Sequence, residues 1–192
     1  MKKLFVLLAV LACASTTVGA TPVLLGSVFH DYGSAAGKID PAGSDTLFAD
    51  YVTVSDSSSS RFSDVFNFSS LSFSSVSSYE LTLNFTKTND FLESWSARPG
   101  ASTALPSLTR VGDTLTTQTI TFNPSVDTFA SSVAAESFNL WFAEQGWGAH
   151  SFNLYDAKLS VFGEVSSVPE PSTVAMLGLG LAGLAMTRRK KA

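Results

Sequence analysis

Thiol chemistry is almost missing from this sequence. Its one cysteine, Cys13, lies within the first twenty residues, so the rest has no material for disulfides or thiolate metal sites. Histidine is nearly as scarce. His30 and His150 are the only two, in no His-x-x-His or His-Glu-x-x-His spacing, and no zinc centre is expected. Between residues 21 and 168, six Lys and Arg stand against fifteen Asp and Glu, a net charge of −9. Nucleic acid and anionic lipid surfaces need clustered positive charge, so both are disfavoured as partners of that stretch, nucleic acid most of all. No Gly-x-Ser-x-Gly elbow occurs, and nothing in the spacing brings a histidine to a serine. Glycoside hydrolysis needs only two carboxylates, but fifteen acids single out no pair. The expectation is therefore a protein that is not an enzyme, with no catalytic residue and no cofactor.

What is present begins with the two ends. Lys2 and Lys3 precede an apolar stretch from Leu4 to Ala14, and Val18-Gly19-Ala20 puts small residues where a signal peptidase would cut before Thr21. Ser15, Thr16 and Thr17 end the apolar run well short of the ~20 residues of a membrane span. Residues 1–20 thus read as a cleaved signal peptide. Cys13 loosely matches a lipoprotein acylation site, although Val10 and the short run before it fit that alternative less well.

The far end has three parts: Pro169-Glu170-Pro171, an apolar segment 172–187, and Arg188-Arg189-Lys190-Lys191 before Ala192. Sixteen helical residues span about 24 Å, less than the ~30 Å hydrocarbon layer, so insertion is marginal. The basic residues stay on the cytoplasmic side and leave everything before Pro169 facing outward. Pro171 suits the first turn of such a helix, where its missing N–H is not needed. Valine-Pro-Glu-Pro at 168–171, the Leu/Gly/Ala-rich segment and the basic stop together resemble the tail of the PEP-CTERM family. The resemblance covers residues 169–192. It implies an exosortase as partner, removal or replacement of the tail near Pro-Glu-Pro, and an exopolysaccharide-producing Gram-negative host. The protein would be tethered to the inner membrane with its domain on the periplasmic side. After processing it would pass to the outer envelope or the extracellular space, in exopolysaccharide or biofilm surroundings.

The body, residues 21–168, reads as strands. Tyr79, Leu81, Leu83 and Phe85 alternate with Glu80, Thr82, Asn84 and Thr86, the period of a half-buried strand. Phe138, Leu140 and Phe142 repeat the pattern, as do Ile120 and Phe122 at the end of a β-branched stretch from Thr114. Tyr51 to Val54 is a shorter candidate. Phe152 and Leu154, then Leu159 and Val161, predict two strands turning around Asp156-Ala157. Residues 55–78 hold thirteen serines in twenty-four positions, too polar for a core of their own, and predict a surface strand pair with loops. Residues 97–113, with Pro99-Gly100 and Leu105-Pro106, predict a long loop. No segment has convincing helical spacing. The expected fold is an all-β, antiparallel, jelly-roll-like β-sandwich, flanked by an N-terminal signal helix and a C-terminal transmembrane sorting helix.

Three clusters in the body are candidate sites. Phe62, Asp64, Phe66 and Phe68 would share one strand face, and Phe62-x-Asp64-x-Phe66 resembles the motif of the FxDxF-type PEP-CTERM proteins. An acid between phenylalanines needs donors; Arg61, Arg110 or turn N–H groups are the candidates, and the role is structural. Asp31, Asp40, Asp45, Asp50 and Asp56 form an oxygen-rich stretch with the spacing of turns rather than of an EF-hand. Calcium is the alternative reading there. Trp141 would point away from Phe138, Leu140 and Phe142, and Trp147 would sit in a loop between two glycines. Both are candidates for carbohydrate contact. A carbohydrate-binding module and a secreted hydrolase on the same scaffold are the alternatives to a sorted surface protein.

Overall fold

A computed structural model describes residues 21–43, 46–56, 62–89, 93–146 and 149–165. The signal peptide, the tail, Arg61 and Trp147 lie outside these residues. The chain runs through nine strands and one short helix among the described residues, and every strand pairing is antiparallel. The strands are β1 (Val23–Asp31), β2 (Thr46–Leu47), β3 (Val52–Ser55), β4 (Asp64–Asn67), β5 (Ser75–Thr86), β6 (Trp95–Pro99), β7 (Thr116–Phe122), β8 (Ser137–Glu144) and β9 (Ser151–Glu164). Helix α1 (Phe129–Ala134) lies between β7 and β8.

Two sheets result. The larger runs β2-β3-β9-β5-β7, with β1 also on β9; the smaller is β4-β8-β6. β9 is its spine. One edge pairs with β5 over most of its length, and the other is shared between β3, at 151–154, and β1, at 156–163. The sheets face each other across an aromatic core. Phe142 of β8 and Trp95 of β6 lie 5.0 and 4.8 Å from Phe152 of β9, centroid to centroid, and Tyr79 of β5 lies 5.7 Å from Phe138 of β8. The all-β sandwich expected from the alternation is the fold observed.

The clean alternation of β5 works as read: Tyr79, Leu81, Leu83 and Phe85 are buried. Each contributes on the order of 1.5–3 kcal/mol by leaving water. The end of the chain differs from the expectation. Residues 151–164 form one strand, not two around a turn at Asp156-Ala157. Phe152 and Leu154 face the core from even positions, Ala157, Leu159 and Val161 from odd ones. The change of parity comes from a β-bulge: Asn84 and Phe85 are adjacent, yet pair with Asp156 and Leu154, which leaves Tyr155 as the extra residue. The Tyr155 carbonyl accepts from the Tyr32 N–H at 2.8 Å, so the bulge also joins β1 to the spine. Near the other end of β9, a Cβ on Gly163 would fall 2.0 Å from the Ser75 carbonyl oxygen. The two backbones approach this closely because residue 163 carries no side chain.

The stretch 97–113 also departs from a plain loop. Its first residues belong to β6, where Trp95 and Ala97 are buried against the core. The loop proper is pinned by Asp127, just ahead of α1. The Asp127 carboxylate accepts from the Ser102 hydroxyl and from the Thr103 N–H and hydroxyl, both of the latter at 2.9 Å. These hydrogen bonds, led by that from Ser102, hold the carboxyl down from the usual 3.8 to about 2. A depressed folded-state pKa favours the folded state fully above the unfolded value and loses that contribution as pH falls from 3.8 through about 2. Stability measured by urea unfolding should therefore fall more steeply across that window in the wild type than in Asp127→Asn. Equal slopes would show that these bonds do not form in solution.

Candidate functional site

The Phe62–Phe68 motif lies where strand alternation puts it. Phe62, Phe66 and Phe68 are buried, and Asp64 between them is 8% exposed. Among the described residues its partners are Tyr32 and His30. Tyr32, just after β1, donates its hydroxyl to Asp64 Oδ2 at 2.5 Å, and His30 Nδ1 lies 2.6 Å from the same oxygen. The His30 ring stacks on Phe66 with centroids 4.3 Å apart and planes 15° from parallel. Burial pushes the Tyr32 hydroxyl well above its usual range, and the charge and hydrogen bond of Asp64 add to that, so it remains a donor. Arg110 instead reaches the Asn89 carbonyl, 3.4 Å away. Asp64 thus ties β4 of the small sheet to the end of β1 in the large one. Its partners escaped the sequence reading because they lie some thirty residues upstream. The signal was the i, i+2 spacing of His30 and Tyr32, which gives both rings one face.

On the outer face of the small sheet, Trp141 is half-buried and points away from the core, as alternation requires, since Phe138, Leu140 and Phe142 are buried. Its Nε1 donates to Ser63 Oγ at 3.1 Å, and the Arg98 guanidinium carbon lies 5.9 Å from the ring centroid. Arg98 and Trp141 are paired residues of β6 and β8, so the indole is framed on both sides.

A cavity of about 230 Å³ opens at one end of the sandwich, between the end of β3 and the facing ends of β6 and β8. Val54, Phe62, Trp95 and Phe142 form its apolar lining, and Asp56 and Glu144 its acidic part. Phe62 and Phe142 are tilted against each other at 5.1 Å. Trp95 is 2% exposed, and its Nε1 has no hydrogen-bond partner among the described residues. Glu144 pairs with Trp95 in register, and its buried Oε1 likewise has none. Asp56 is held in place: its Oδ1 accepts from the His150 N–H at 2.7 Å, and its own N–H donates to the His150 carbonyl at 3.2 Å. Sequence reasoning missed this site, which draws on four separate stretches of the chain, at 54–56, 62, 95 and 142–144.

Comparison with known proteins bears on the end of the chain. The family model of the PEP-CTERM protein-sorting motif matches residues 167–190. The chain is a PEP-CTERM domain-containing protein. Such a motif is a signal for exosortase-dependent export, and in this PEP-CTERM protein it takes in Pro169, Glu170 and Pro171, the apolar segment and Arg188 to Lys190. No curated protein matches the chain. Among solved structures, a carbohydrate-binding module from Cellvibrio mixtus lichenase 5A, in complex with cellotriose, is 13% identical. That likeness spans 72% of this chain and 98% of the module, with a TM-score of 0.33.

Asp45 lies outside the described residues, and among those described the acidic stretch of the PEP-CTERM protein is spread over separate tasks. Lys38 bridges Asp31 at 3.1 Å and Asp50 at 3.3 Å, while Asp56 belongs to the cavity. Asp31 is the strand partner of Asp156, whose carboxyl is pushed up by burial, with Asn84 and Lys38 pulling the other way. Among the described residues no group of three or more acids and histidines is placed to hold a metal ion.

Proposed function

We propose that this PEP-CTERM protein is a non-enzymatic β-sandwich that an exosortase sorts and processes, and that serves at the cell envelope or in an exopolysaccharide matrix. The observation that carries the reading is the motif at 167–190, which follows directly on the last strand of the sandwich. Signal peptide 1–20, body 21–168 and sorting tail 169–192 are the corresponding division. In it, Pro169-Glu170-Pro171 marks the processing site and Arg188 to Lys191 fix the orientation across the inner membrane. The net charge of −9 on the body suits an exported protein that must not adhere to anionic lipid. A non-catalytic role is supported by Asp64, which is tied to Tyr32 and His30 inside the core and so is not offered to a substrate. We also place the protein with the FxDxF type on Phe62, Asp64 and Phe66.

Cell fractionation with intact-mass analysis, in a wild-type strain and one lacking the exosortase, tests this reading. The expected product in the wild type begins at Thr21 and lacks the basic end. A mature protein that still ends Arg188-Arg189-Lys190-Lys191-Ala192 in both strains contradicts it. A second reading, contact with polysaccharide chains, is favoured by the outward Trp141, which Arg98 and Ser63 hold edge and face. Aromatic rings so fixed stack on sugar rings at low entropic cost. Trp147, the other tryptophan expected in that role, lies outside the described residues.

A further inference from the structure

We propose that the cavity at the end of the sandwich is a binding site for one neutral sugar residue, with Trp95, Glu144 and Asp56 as its polar contacts. The inference goes beyond the sorting reading and does not depend on it.

The chemistry of the lining selects the ligand class. Phe62, Phe142 and Trp95, each no more than 6% exposed, give the cavity an apolar wall. A buried indole N–H and a buried carboxylate oxygen, neither with a partner among the described residues, ask for an acceptor and a donor. Trp95 and Glu144 are cross-strand neighbours, so both demands arise side by side. A hydroxyl group accepts and donates at once, and a pyranose presents several on a ring with an apolar face. Phosphates, sulfates and uronic acids meet Asp56 and Glu144, which repel them. A simple ammonium ion would suit the carboxylates and the rings, but it has no acceptor for the Trp95 N–H. A water takes up about 30 Å³ of liquid, so a cavity of 230 Å³ holds far more than one bridging solvent molecule and has room for one pyranose ring. That volume matches a single ring, which points to a terminal or side-branch residue.

Asp56 gives the site its rigidity. Two hydrogen bonds with the His150 main chain, one to the Asp56 carboxylate and one from its N–H, fix it just after β3, so the carboxylate is placed before any ligand arrives. Preorganisation of this kind lowers the entropic penalty of binding a small polar molecule.

The experiment is titration of the full-length chain, purified in detergent, with methyl glycosides of glucose, galactose, mannose and N-acetylglucosamine, read by calorimetry and saturation-transfer NMR. Saturable millimolar binding of at least one glycoside is expected. Glu144→Gln and Trp95→Phe should each weaken it by about tenfold, the effect of losing one hydrogen bond involving a charged or buried group. Unchanged NMR fingerprints of the variants establish that they fold, and Glu144→Gln serves if Trp95→Phe does not. Val65→Ala, on the outer face of the small sheet, should leave glycoside binding as it was. No saturable binding of any of the four glycosides overturns the proposal. So does binding that survives both cavity variants, binding lost only in Val65→Ala, or binding of tetramethylammonium without that of any sugar. Processing of the tail by the exosortase is read separately, by mass, and either result stands without the other.

Discussion

Phe138→Ala should destabilise the β domain by about 3–5 kcal/mol, the usual penalty for emptying a buried phenylalanine site. The ring sits where three strands from both sheets converge. Its centroid is 5.4 Å from Phe122 on β7, 5.7 Å from Tyr79 on β5 and 6.5 Å from Phe66 on β4. Neighbours drawn from two separate sheets cannot collapse together into the space left behind, which favours the upper part of that range. Urea unfolding measures the change directly, and thermal unfolding should show a drop of about 10 °C for a domain of this size. Val65→Ala is the control. Val65 pairs with Asn139, next to Phe138, but is 50% exposed, and its loss should stay within about 0.5 kcal/mol. Similar effects from both substitutions would mean that the sheets do not meet at Phe138.

Asp64→Ala comes next, at about 3 kcal/mol, because it strands two donors at once. Tyr32 and His30 lose the oxygen they share, and the Tyr32 hydroxyl, in a fully buried residue, has no water to turn to. Asp64→Asn keeps one oxygen and should lose less than half as much. The informative measurement is a double-mutant cycle with Tyr32→Phe. Once the tyrosine hydroxyl is gone, Asp64→Ala should be milder by about 1–2 kcal/mol, the coupling expected of groups in one hydrogen-bonded network. Effects that add within ~0.3 kcal/mol would show that the tyrosine and the aspartate do not depend on each other in solution.

Where apolar and polar residues alternate without interruption, the sequence showed the strand and its buried face, as in β5 and β8. β1 went unseen because its exposed positions are apolar as well: Val23, Leu24 and Phe29 all lie open to solvent, so no alternation separates its faces. β9 was split in two because one extra residue, Tyr155, reverses which face each later side chain takes, and in a list of residues a bulge looks like a turn. β6 was half lost to Pro99 and to its length of five residues. Of the sites, Trp141 and Asp64 could be placed by parity alone. The donors to Asp64 and the cavity could not. They depend on which strands become neighbours in space, and only pairing over separations of dozens of residues decides that.

The position of β9 carries an implication for the order of events after synthesis. The strand against which β1, β3 and β5 all pair is the last of the described strands to be made. Until residue 164 has been added, β2–β3 and β5–β7 can pair, but β1, β3 and β5 must wait across long loops for the strand that joins them. The larger sheet of such a chain closes only once this strand is available. The closing strand also adjoins the export tail, so a pull on that tail would be resisted by ladders on both sides of the sheet's centre.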